Sequence, residues 1–157
     1  MFMQEKIFMT DQTPHPTPQE LAQAASQAMW SKDSASQALG MKLVSIAPGR
    51  SEVRMTVRPD MVNGHQLCHG GLIFTLADSA FAYACNSYNL ITVASACNID
   101  FLAPAKLHDV LEATAMERSA AGRTGVYDVE IRVQGGKQIA LFRGKSYRTK
   151  GEVISGL

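Results

Sequence analysis

Residues 70–86 read GGLIFTLADSAFAYACN. The stretch lacks period-two alternation, is rich in Ala and Leu, and is apolar nearly all round, so it predicts a helix that belongs inside something. One charge interrupts it. Asp78 is the only formally charged side chain between positions 61 and 99. The flanking segments must supply whatever covers this helix.

Upstream, MKLVSIAP (41–48) and SEVRMTV (51–57) predict two strands joined at Pro48 and Gly49. In the second, Val53, Met55 and Val57 alternate with Glu52, Arg54 and Thr56, which gives a hairpin with one wet face. Downstream come LITVASACNIDFL (90–102), DVLEATAMERS (109–119), GVYDVEIRV (125–133) and KQIALFRGKSY (137–147). Tyr127, Val129, Ile131 and Val133 share a face opposite Asp128, Glu130 and Arg132, and Gly135-Gly136 supplies the turn before the last strand. Four long strands in succession predict a meander.

An antiparallel sheet of about six strands and one apolar helix bury their apolar faces together if the curved sheet wraps around the helix. This is an α+β chain with the geometry of a hot-dog fold. Such a sheet leaves an open edge, and pairing it with a second copy removes that liability. A homodimer is expected, pairing again into a tetramer as a dimer of dimers.

Before the strands, TDQTPHPTP (10–18) has prolines at alternate positions and cannot propagate a helix. PQELAQAASQAMW (18–30) predicts a short amphipathic helix with a packing role, and a helical turn follows over 34–39 with Gly40 available to end it. The expected organisation is a flexible leader over 1–18, one domain over 19–151 and a tail over 152–157.

With 46% hydrophobic and 18% charged residues, the 157-residue chain has the composition of one soluble globular domain. A formal net charge of +1 without a Lys/Arg cluster gives no footprint for nucleic acid. Cys68, Cys85 and Cys97 are odd in number and set among apolar residues, which suits reduced thiols and a cytoplasmic location. The first residues contain Glu5, Lys6 and Asp11 and no sustained apolar run, so neither a signal peptide nor a membrane anchor is expected.

The stretch NGHQLCHGGLIFTLAD (63–78) holds the groups that could do chemistry. Gly70 and Gly71 stand where the helix begins, and backbone N–H groups there lack carbonyl partners and carry partial positive charge. Without a Cβ, Gly70 lets a carbonyl approach closely and accept from its N–H as charge develops on oxygen. Asp78 lies among Leu76, Ala77, Ala80 and Phe81, where burial raises a carboxylate's pKa. It reads either as a helix residue satisfied by Ser or Asn neighbours or as a reactive group. Eight residues at ~1.5 Å rise place Gly70 and Asp78 roughly 12 Å apart, too far to touch one reacting carbonyl from the same chain. Two such helices antiparallel across a dimer interface would bring Gly70 of one chain to Asp78 of the other, giving two composite sites.

His65, Cys68 and His69 also invite a metal reading, but no second Cys pair or Glu is spaced to complete a site. Cys68 beside His69 is poorly placed as a nucleophile and base, because adjacent side chains point apart. Cys85 and Cys97 read as small core residues.

NGHQLCHGGLIFTLADSAFAYACN, then VASACNIDFLAPA, GVYDVEI and ALFRGKSYR, closely resemble the phenylacetic acid degradation thioesterases of the hot-dog superfamily. The resemblance covers about residues 38–148 and implies hydrolysis of aromatic acyl-CoA thioesters, typically hydroxylated phenylacetyl-CoA. It implies no metal and no cofactor beyond the CoA of the substrate. By position, Asp78 matches the family's catalytic carboxylate, Gly70 its oxyanion donor, and Asn63 and His69 its flanking polar residues. Asn63 would bond near the carboxylate or the attacking water; His69 would fix the loop, polarise the carbonyl or merely cap the helix. Gly71 belongs with Gly70 at the substrate, and Ser95 is the nearest hydroxyl on the next strand to orient water. Arg123, Arg143 and Lys145 are phosphate partners for CoA by charge and strand position, or else solvated strand charges. Asp78 would act as nucleophile or as general base. A hydratase or dehydratase of the same fold and a non-catalytic acyl-CoA-binding module are the rival readings, and the order NGH…HGG…LAD favours hydrolysis.

Overall fold

The structure, a computed structural model, describes residues 15–157, so most of the expected leader lies outside the described residues. Helix α1 (Pro18–Trp30) starts with a reciprocal cap: Glu20 N–H donates to Thr17 Oγ1 at 3.2 Å, and Thr17 N–H to Glu20 Oε2 at 2.8 Å. Proline at its first position loses nothing there, because that N–H would have no helical partner. Helix α2 (Ser34–Ala38) is capped by Asp33 and gives way to Gly40, whose φ of +68° is left-handed as expected.

The strands are β1 (Lys42–Ala47), β2 (Arg50–Thr56), β3 (Leu90–Phe101), β4 (Val110–Ala121), β5 (Thr124–Val133) and β6 (Gln138–Glu152). A 3-10 turn at Pro59–Met61 leads from β2 towards α3 (Gly70–Asn86). All strand pairs are antiparallel, in the order β1-β2-β4-β5-β6-β3. The six-stranded sheet wraps α3 in the hot-dog arrangement.

The expected four-strand meander is corrected by this order. Only β4, β5 and β6 form one, because α3 carries the chain across the sheet and β3 joins the far edge beside β6. The last strand also runs to Glu152, past the expected domain limit at 151 and into the expected tail.

The inward face of α3 buries Ile73, Leu76, Ala77, Ala80 and Phe81 against Val53, Leu111, Val129, Ile131 and Phe142. Each large apolar side chain so buried contributes ~1.5 to 3 kcal/mol. Gly144 of β6 makes room for this packing, since a Cβ there would stand 2.9 Å from the Phe81 ring. Ser51 Oγ donates to Ala80 O at 2.6 Å inside the core, tying β2 to the helix.

The sheet does not cover α3 all round. Gly71 is exposed and Thr75, Asp78 and Ala82 are half-buried, and their spacing aligns them as one stripe that faces away from the sheet. An apolar helix with one uncovered stripe is therefore what this chain alone provides.

Candidate active site

His69 ends the irregular loop before α3 and caps the helix: its Nδ1 accepts from Gly71 N–H at 3.0 Å. An accepting Nδ1 leaves the proton of a neutral imidazole on Nε2. Leu72 and Ile73 N–H both donate to His69 O, at 2.9 and 3.4 Å. The Gly70 N–H is left without a partner among the described residues. A helix N-terminus with one unspent donor favours an incoming negative oxygen.

Asn63 shapes the loop that delivers this donor. Its Oδ1 accepts from His65 N–H at 2.9 Å and Leu67 N–H at 3.2 Å. Because both partners are donors, the amide orientation follows, and Nδ2 keeps its protons for something else. Asn63, Gly70, Ile73 and Phe101 line one cavity of about 340 Å³.

Asp78 opens elsewhere. It lines a cavity of about 530 Å³ between the end of α1, the uncovered face of α3, the start of β3 and the end of β6. Met29, Phe81, Ala82, Ile91 and Val93 make most of the wall apolar, while Lys32, Asp33 and Glu152 bring charge to it. Burial raises the Asp78 pKa, and among the described residues no hydrogen bond or ion pair offsets it. The Ser and Asn neighbours that would have satisfied a structural aspartate are spent otherwise. Ser79 Oγ lies 3.1 Å from Ser36 Oγ. Asn86 Nδ2 donates to Ala82 O and Thr92 O, while its Oδ1 accepts from Thr92 N–H, at 2.8 to 2.9 Å. That clamp fixes the start of β3 along the Asp78 cavity.

The structure thus brings Asn63, His69, Gly70 and Gly71 together and places Asp78 apart. Ser95 sits at a bulge of β3, exposed, and its hydroxyl donates to Lys145 O at 3.0 Å. Arg143 donates to both oxygens of Asp128, at 2.6 and 2.9 Å, and holds that carboxyl below the usual range. With Lys145 and Arg118 it lines a hollow of about 550 Å³ whose wall does not include Asp78. Arg123 lies at a separate hollow with Arg148, Tyr88 and Tyr127, its NH1 3.4 Å from Tyr147 OH. The three cations do not converge.

The cysteines lack thiolate character. Burial pushes the Cys68 thiol up to about 11, and the Cys85 thiol up to about 12 with a smaller contribution from the Asp78 charge. Among the described residues no group of three or more His, Cys, Asp or Glu side chains could hold a metal ion, and no helix is long and apolar enough to cross a membrane. The sequence reading missed the wall that α1 gives to the Asp78 cavity, because it treated α1 as packing alone. A lone Lys32 beside Asp33 after an apolar helix face was the available signal.

Residues 65–140 match the family model described as the thioesterase superfamily. The chain is 53% identical to the acyl-coenzyme A thioesterase PaaI of Escherichia coli over 128 residues, covering 82% of this chain and 91% of that protein. The solved structure of the Escherichia coli PaaI protein from the phenylacetic acid degradation operon matches with a TM-score of 0.85 at 51% identity, covering 87% of this chain and 99% of that one. A hypothetical thioesterase of Streptococcus pneumoniae, solved with coenzyme A, matches with a TM-score of 0.68 at 26% identity, covering 71% of this chain and 90% of that one.

Proposed function

Because this chain belongs to the PaaI-type acyl-CoA thioesterases of the thioesterase superfamily, we propose that it hydrolyses aromatic acyl-CoA thioesters, phenylacetyl-CoA and its hydroxylated forms, in phenylacetate degradation. One observation carries this reading: a Gly70 N–H and a half-buried Asp78 carboxylate, neither with a hydrogen-bond partner among the described residues, lie on the same helix and open into two separate cavities.

Neither half suffices alone. The carboxylate needs a carbonyl beside it, and the developing oxyanion needs the donor. In this reading two copies pair through β3, whose 12 residues form an edge with β6 on one side only. The other edge strand, β1, has six residues and is braced by Gln19 of α1, whose Nε2 donates to Ile46 O at 2.8 Å. Antiparallel pairing of β3 sets the uncovered stripes of two α3 helices side by side and brings Gly70 of one chain to Asp78 of the other. Dimers pair again into a tetramer. The folded elements of the domain run from Pro18 to Glu152.

Within each composite site the Gly70 N–H receives the thioester oxygen. Asp78, ionised, attacks the carbonyl carbon or takes the proton from an attacking water; in both courses the C–S bond breaks, the CoA thiolate leaves and one water is consumed. The Asn63 Nδ2 donor steadies that water or the carboxylate, and His69 holds Gly70 in register through its cap. Gly71 lies under the substrate, Ser95 on β3 is the hydroxyl offered to orient water, and Arg123, Arg143 and Lys145 are the cations offered to the CoA phosphates. CoA enters as part of the substrate, and the proposed steps call on no other cofactor.

The test is thiol release across aromatic and aliphatic CoA esters, ranked by kcat/KM. Aromatic esters should rank first; a higher ranking of aliphatic esters would overturn the acyl assignment. A change in acyl absorbance without free thiol would instead point to hydration or dehydration.

A further inference from the structure

The cavity beside Asp78 has a far side that the hydrolytic reading does not use. Its apolar walls suit an acyl chain or ring, and about 530 Å³ exceeds what a thioester carbonyl requires. The polar groups on its lining are Asp78 on α3, Lys32 and Asp33 just beyond α1, and Glu152 at the end of β6, besides Asn86 and Thr92, whose clamp uses them on each other.

Lys32 stands out among these charges. Asp33 is already occupied, its Oδ1 accepting from Ser36 N–H at 3.0 Å and its Oδ2 from Tyr83 OH at 2.9 Å. Glu152 accepts from Gly156 N–H at 3.0 Å. Lys32 makes no ion pair among the described residues. Lys32 is exposed, whereas Asp78 is half-buried. An ammonium and a carboxylate thus line one cavity without forming an ion pair among the described residues.

We infer that Lys32 is a specificity-determining residue, donating from its ammonium to a hydroxyl on the end of the acyl group away from the thioester. The inference rests on the proposed reaction at Asp78. The substituent's chemistry follows from the mixture of charges. A carboxylate substituent would pair with Lys32 but would meet Asp33 and Glu152 on the same lining, and an unsubstituted ring leaves the ammonium unused. A hydroxyl accepts from Lys32 and can donate to a carboxylate beside it. The segment that presents Lys32 is held in place: Trp30 packs on Tyr83 with ring centroids 6.4 Å apart, and Ala22, Ala25 and Ser26 are buried.

The experiment compares kcat/KM for phenylacetyl-CoA and a ring-hydroxylated phenylacetyl-CoA in the wild type, Lys32→Met and Lys32→Arg. Met keeps an unbranched apolar stem and removes the donors; Arg keeps donors and charge. Lys32→Met should lower the hydroxylated-to-unsubstituted ratio by about tenfold, through KM, and Lys32→Arg should retain most of it. A ratio unchanged in Lys32→Met, or a wild type preferring a ring-carboxylated ester over the hydroxylated one, would overturn the role of Lys32 while leaving the hydrolytic reading intact. A wild type that releases thiol from neither aromatic ester would overturn the acyl assignment and this inference with it.

Discussion

The Gly70 N–H and the Asp78 carboxylate stand on one helix, eight residues apart, and face different cavities. The ~12 Å between them is set by helical rise and cannot relax without unwinding α3. The proposed composite sites, each built from two chains, would bring the two groups to one carbonyl.

The first concerns Asp78 itself. Asp78→Asn should lower hydrolysis by about a hundredfold or more while CoA-ester binding persists, measured by thiol release and by equilibrium binding. The same change should raise Tm by roughly 2 to 4 °C. The sign follows from burial. The carboxyl's folded-state pKa is raised, so its contribution to stability is full below the ordinary carboxylate range and is lost as pH rises through the raised value. At neutral pH the ionised group opposes folding, and an amide of the same shape does not. Unchanged turnover would make Asp78 a structural residue.

The pH profile offers a second test. The proposed hydrolysis needs ionised Asp78, so kcat/KM should climb through an acidic limb whose inflection lies above the ordinary value of 3.8. A partner chain across the stripe would remove more water and move the limb further in the same direction. An inflection at or below that ordinary value would show that another group limits the reaction.

Gly70 allows an unusually direct deletion of one hydrogen-bond donor. It is the first residue of α3, where proline is tolerated, and His69 at φ −61° and ψ 128° already has the backbone that a following proline prefers. Gly70→Pro removes the N–H; Gly70→Ala keeps it. Both place a Cβ about 3.1 Å from Phe101 Cζ, the far end of an exposed side chain that can turn aside. Gly70→Pro should lose roughly a hundredfold to a thousandfold in kcat, and Gly70→Ala far less. Mixed with Asp78→Asn and allowed to exchange chains, Gly70→Pro should regain about a quarter of wild-type activity, since half the dimers are mixed and each holds one intact site. No recovery on exchange would refute sites built across the interface.

How much of this was legible in the sequence differs from part to part. The apolar run of α3 and the lone charge of Asp78 are local signals, and both survive folding because nothing distant is needed to read them. The hairpins at Pro48-Gly49 and Gly135-Gly136 are local in the same sense. The place of β3 is not: adjacency in sequence suggested β4 as its neighbour, and the crossing of the sheet by α3 sends it to β6 instead. Lys32 was illegible for a related reason. It meets the Asp78 cavity only because Trp30 and Tyr83, more than fifty residues apart, pack the end of α1 against α3. His69 was read with both a capping and a chemical role, and spacing alone does not separate them.

Two substitutions at His69 separate those roles. The ring spends Nδ1 on the Gly71 N–H and is otherwise exposed. His69→Ser supplies another side-chain oxygen to the cap, and should keep Tm within about 2 °C and most of kcat. His69→Ala should cost about 1 kcal/mol of stability in denaturant melts and slow turnover as the Gly70 donor loses its register. Loss of activity in His69→Ser at full stability would instead assign the imidazole to the chemistry.

The Asn63 amide divides along its two atoms. Oδ1 serves the loop through His65 and Leu67, and Nδ2 is the donor that the proposed reaction would use. Asn63→Asp keeps an acceptor for both N–H groups but removes the donor and adds a negative charge to the neighbourhood of the developing oxyanion. Asn63→Ala removes both functions. The Asp variant should therefore match wild type in denaturant melts yet fall at least tenfold in kcat. The Ala variant should lose about 1 to 2 kcal/mol of stability as well as activity. Equal turnover in Asn63→Asp and wild type would confine Asn63 to holding the loop, and the water or carboxylate would need a different donor.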